Sequence, residues 1–82
     1  MRPITFGDIR EYCSRTDRVS ICRLETLSYE NYDHMELVPH DRDSLYLYGF
    51  GMIESEFTGP QGRLFAPCVE FMLSEKPREE QT

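Results

Sequence analysis

No apolar run in this sequence approaches the roughly 20 residues that a membrane-crossing helix needs. The opening stretch, MRPITFGDI, lacks the apolar core and cleavage site of a signal peptide. A helical membrane protein is excluded, and a cytoplasmic one is expected. Cysteine is scarce and odd in number: Cys13, Cys22 and Cys68 cannot all pair within one chain, which favours reduced thiols. There is no C-x-x-C and no H-x-x-x-H, so the tight knuckles of a small zinc domain are missing and Cys13, Cys22, His34, His40 and Cys68 are not expected to hold a metal. There is no G-x-S-x-G elbow and no cysteine-protease signature either. A list such as Cys22 or Cys68, His34 or His40, Asp41 or Asp43 arises in any chain of this size, so neither catalysis nor a cofactor is expected.

Positive charge is also in short supply, with 9 Lys and Arg against 15 Asp and Glu and a net charge of −6. The imbalance is local. Residues 24–56 carry one basic and eight acidic side chains, a balance of −7. Residues 1–23 balance at +2 and residues 57–82 at −1. Such a field repels nucleic-acid phosphates and anionic membranes and attracts basic partners. Arg10, Arg15, Arg18 and Arg23 form a mild basic cluster, which in a net-acidic protein more often makes local ion pairs.

What is present is a foldable core. The 82 residues are 39% hydrophobic and 12% aromatic, enough for one small domain over residues 1–75. Residues 76–82, KPREEQT, read as a flexible polar tail. Thr5 followed by Asp8 is a capping box, which predicts a helix over about Phe6 to Ser14 with Phe6, Ile9 and Cys13 on one face. RVSICRL, Arg18 to Leu24, is a β-branched strand. Residues 25–40 have no clean period; a short helical turn and then an extended piece into Val38-Pro39 is expected. His40 to Ser44 reads as a loop. Leu45 to Phe57 and Arg63 to Leu73 then form the arms of a long hairpin turned by TGPQG, Thr58 to Gly62. The fold class is therefore α+β, a short N-terminal helix packed on a small antiparallel sheet built around the C-terminal hairpin.

If Phe57 pairs with Arg63, Leu47 faces Leu73 and Ile53 faces Pro67, and the glycines Gly49 and Gly51 lie under Phe71 and Val69. Tyr46, Tyr48, Phe50, Met52, Glu54 and Glu56 then share the opposite face, away from the helix. These are the candidate partner-binding residues: an aromatic patch with an acidic rim marks a protein contact or a homodimer face. Alternatively, residues 25–40 fold over that face and make it a second core. Gly49 and Gly51 also signal a bulge or bend, which would reset the alternation, and Pro67 signals a free edge or a bulge. Glu54 and Glu56, two residues apart, have the spacing of a carboxylate pair, but alternate acids on a solvated strand face are the commoner pattern. Gly49-Phe50-Gly51 lacks the third glycine and the following helix of a nucleotide loop.

RPITFGDI, RVSIC with SYENY, LYGFGMIESEF and PCVEFMLSEKP together resemble short proteins without assigned activity that are encoded on bacterial mobile elements, over residues 2–77. The resemblance carries no site residue. It implies a setting in which small acidic proteins bind and block host defence proteins. The expectation is a non-enzymatic protein-binding module, with an acidic nucleic-acid mimic as the alternative and a small enzyme as the least supported reading. In the mimic, Glu25, Glu30, Asp33, Glu36, Asp41, Asp43, Glu54 and Glu56 would imitate a phosphate track. Direct nucleic-acid or membrane binding is not expected.

Overall fold

The computed structural model describes residues 3–60 and 62–77. A helix α1 (Phe6–Arg10) precedes strands β1 (Val19–Arg23) and β2 (Ser28–Tyr32). Two 3-10 turns, Met35–Leu37 and His40–Ser44, lead to the hairpin β3 (Tyr46–Gly59) and β4 (Gly62–Ser74). The architecture is α+β, with one four-stranded sheet in the order β2-β1-β4-β3. β1 runs antiparallel to β2 and parallel to β4, so the sheet is mixed rather than wholly antiparallel.

Helix α1 begins where the sequence places it. The Thr5 side chain accepts the Asp8 N–H at 3.3 Å, and the Asp8 carboxylate accepts the Thr5 N–H at 2.9 Å. It ends at Arg10, short of the expected Ser14. Beyond it Tyr12 and Cys13 donate to the carbonyls of Ile9 and Arg10, three residues back, so the chain tightens into turns. Residues 25–40 reverse the expected order: the extended piece, β2, comes first and the helical turn second. Ladder pairing with β1 sets this, because it satisfies backbone groups of Ser28–Tyr32 that an isolated helical turn would leave to water. His40–Ser44 is a 3-10 turn rather than a loop.

The core lies on one face of the sheet. Val19, Ile21, Phe71 and Leu73 point into it, and Phe6 from α1 and Met35, Val38 and Leu45 from the turns cover them. Phe6 meets Phe71 edge-on at 5.2 Å between ring centres. Residues 35–45 thus cap the same face as α1, and do not form the cover over the second face that was weighed above. That second face closes by another route. The sheet coils until Asn31, on β2 at its far edge, donates to Ser55 Oγ and to the Glu56 carbonyl on β3, each at 3.0 Å. Phe57, Ala66, Cys68 and Ile53 pack inside that curl, with the Arg18 guanidinium 5.8 Å from the Phe57 ring centre.

The hairpin register departs from the expected one. Leu47 pairs with Leu73 as expected, but from Gly49 onward every pair is shifted by one, so that Ile53 meets Cys68 and Phe57 meets Leu64. A β-bulge between Leu47 and Gly49 makes Tyr48 the extra residue. Gly49 lies under Met72, whose Cε is 2.6 Å from where a β-carbon would stand, and Gly51 pairs with Glu70. Gly59 pairs with Gly62, and Gly62 takes φ +105° to turn the chain. Pro67 fits for a definite reason. The Val69 N–H donates to the carbonyl of Arg18, the residue before β1, so odd-numbered N–H groups of β4 point that way. At Pro67 the β1 partner has ended, and the missing N–H leaves no gap in the ladder.

Lys76 is held near the sheet, its carbonyl accepting the Tyr48 hydroxyl at 3.0 Å and its N–H donating to Ser74. Residues 78–82 of the expected tail lie outside the described residues.

Candidate functional site

The bulge decides which side chains share a face. Phe50 stands opposite Phe71, Met52 opposite Val69, Glu54 opposite Pro67 and Glu56 opposite Phe65. Phe71 and Val69 belong to the α1 side, so these four candidates lie on the helix side of the sheet and not away from it. Tyr46 faces the other way, opposite Ser74, and bridges Thr5. Tyr48 is the bulged residue and reaches Lys76. The single aromatic face of Tyr46, Tyr48, Phe50 and Met52 therefore does not form, because one extra residue resets the alternation of the whole distal strand.

A different surface takes its place. Phe50, Met52, Val69 and Phe71 floor a groove of about 370 Å³, and Ile9, Tyr12 and Cys13 wall it from the end of α1. Its lining is wholly apolar. The Phe50 ring tilts over Phe71 at 6.4 Å, yet Phe50 stays 68% exposed, Met52 70% and Tyr12 84%. Phe65 and Pro67, both exposed, continue the strip along β4 toward the hairpin turn. Glu54 and Glu56 run beside it on β3. Glu56 pairs with Arg63 at 3.2 Å, while Glu54 and Glu11 have no ion-pair partner among the described residues. Tyr12, Ile9, Val69 and Phe65 are absent from the sequence-based candidates. The signal that finds them is the bulge hinted at by Gly49 and Gly51, once its position is known.

A second, polar cleft of about 490 Å³ opens on the other flank of α1 and includes Arg10, Cys13, His40 and Asp43. His40 Nδ1 lies 3.0 Å from one Asp43 oxygen, and Arg10 Nη1 lies 2.8 Å from the other. Burial works to raise the Asp43 carboxyl, but the bonds from His40 and Arg10 outweigh it and hold it below the usual carboxylate range. Arg10 is committed to structure, since its other nitrogen donates to the carbonyls of Met35 and Val38. Cys13 is no activated nucleophile: burial, then the nearby Asp17, push its thiol upward. Cys68 is raised likewise, by burial first and Glu70 second. Among the described residues no group of three or more His, Cys, Asp or Glu could hold a metal ion.

The acidic track is largely occupied within the molecule. Glu30 pairs with Arg42 and Arg23, Asp33 with Arg18, Asp41 with Arg42, and Asp43 with Arg10. Glu25 accepts the Ser74 hydroxyl, which lowers its carboxyl. No helix of the described residues is long and apolar enough to cross a membrane. Comparison with family models, with curated proteins and with solved structures gives no match.

Proposed function

We propose that this chain is a non-enzymatic protein-binding module whose contact surface is the apolar groove between α1 and the hairpin. One observation carries the reading. The face that is a sealed core under α1 continues bare over the distal hairpin, with Phe50 and Met52 about two-thirds exposed side by side. A contiguous apolar patch with a charged border is the form of a protein contact site. A small-molecule pocket carries placed polar groups to orient its ligand, and this groove has none. The mimic reading draws less support, because most of its carboxylates already have partners within the molecule. Unpaired thiols at Cys13, Cys22 and Cys68 fit a reducing compartment. With the resemblance to mobile-element proteins, a host defence protein is a fitting partner.

Photo-crosslinking tests the groove. A benzophenone side chain at Tyr12, in the groove wall, is compared with one at Tyr29, which is exposed on the opposite face of the sheet. In extract of a bacterial host, Tyr12 is expected to give discrete adducts with another protein that Tyr29 does not, and Phe50→Ser with Met52→Ser to remove them. The same adducts from both positions would overturn the reading.

A further inference from the structure

We infer that the groove receives a basic amphipathic helix supplied by the partner, an inference that rests on the binding reading above. The layer structure points to a helix. A sheet face that must be dry is covered by a packed second layer. Here α1 and the 3-10 turns supply that layer over the β1 end, and none of the described residues supplies it over Phe50, Met52, Pro67 and Phe65. The bare floor from Phe50 to Glu56 spans about 20 Å at strand rise, the length of a helix of about 13 residues. An apolar stripe at i, i+3 and i+4 would continue the surface that α1 begins with Ile9 and Tyr12.

An extended peptide fits less well, because the outer edge of β3 is engaged at both ends. Leu47 N–H donates to Ile4 O at one end, and the Glu56 carbonyl accepts from Asn31 at the other. A strand added to the edge between these contacts would also leave the apolar floor bare, since it extends the sheet sideways and does not cover its face.

Charge then selects the partner. Glu54 and Glu56, both exposed, border the apolar strip on β3; Glu56 pairs with the exposed Arg63, and Glu54 has no ion-pair partner among the described residues. A second copy of this chain would bring these acids against more of the same sign, on a molecule of net charge −6. Lysine or arginine flanking the incoming apolar stripe meets them with opposite charge.

The test uses the full chain, isotope-labelled for NMR, and three synthetic helical peptides about 15 residues long. One has a leucine stripe with Lys and Arg flanks, one the same stripe with Glu flanks, and one the basic composition with the stripe scrambled. The basic striped peptide is expected to shift Ile9, Tyr12, Met52 and Val69 and to bind at least about tenfold more tightly than either other peptide, as burial of the stripe and two rim charge pairs together allow. Glu54→Lys with Glu56→Lys, both on exposed positions, is expected to invert the preference in favour of the acidic peptide. Equal binding of basic and acidic peptides, shifts on another face, or self-association through Phe50 and Met52 would overturn the inference. Tyr12 crosslinks in extract without binding of any striped peptide would sink the helix and leave the binding module standing. Absence of both would remove the two together.

Discussion

Arg10 ties α1 to a segment some thirty residues away. Its guanidinium bonds the Asp43 carboxylate and the carbonyls of Met35 and Val38, and it lies 5.7 Å from the Phe6 ring centre. Because Asp43 titrates lower in the folded chain than in the unfolded one, its contribution is present at neutral pH and is lost as pH falls through the folded-state value, below about 4. Asp43→Asn is therefore expected to lower stability at pH 7 by about 1.5–3 kcal/mol and to flatten the acid limb of the stability profile. Urea midpoints measured between neutral and acid pH check both; an unchanged acid limb would assign the loss to other carboxylates. This pair was not legible in the sequence, since nothing local links residues 33 positions apart. The capping box of Thr5 and Asp8 was legible, because its chemistry is complete within four residues.

At the level of the elements, the hairpin, its glycine-framed turn and β1 were all readable from β-branched runs and turn residues. The faces were not. Gly49 and Gly51 announced an irregularity, but which residue is extra depends on contacts from afar: Lys76 holding Tyr48, and Met72 lying over Gly49. The candidate site inherited that uncertainty. Phe50, Met52, Glu54 and Glu56 stay together because they lie beyond the bulge, and the two tyrosines part from them because they lie at or before it. Deletion of Tyr48 separates the two registers. With a bulge, the deletion regularises the strand and leaves Phe50 against Phe71. Without one, it would turn every residue on one side of the cut to the opposite face. The shortened protein is expected to fold and to keep the Phe50–Phe71 proximity in an NMR contact experiment. Loss of that contact, with the fold intact, would reject the bulge assignment.

The whole molecule is elongated, 49 × 24 × 20 Å, because the hairpin runs on past the rest of the sheet. Its stability is expected to grade along that length. The amides of Val69, Phe71 and Leu73 lie between two neighbouring strands under the packed core, whereas the outer edge of β3 from Met52 to Glu54 has no strand beyond it. Hydrogen exchange is expected to be slowest for the first group and faster by at least about tenfold for the second, since local opening needs less free energy where fewer contacts are broken. Uniform protection from end to end would contradict this.

The parallel seam between β1 and β4 also governs how the chain is born. β4 is the last strand to be synthesised, yet β1 and β3 both hydrogen-bond to it. Until the ribosome has delivered Leu73, β1 has only β2 beside it and β3 has no neighbour in the sheet. Assembly of the sheet therefore waits on β4, and the nascent polypeptide is most prone to aggregate before that strand emerges.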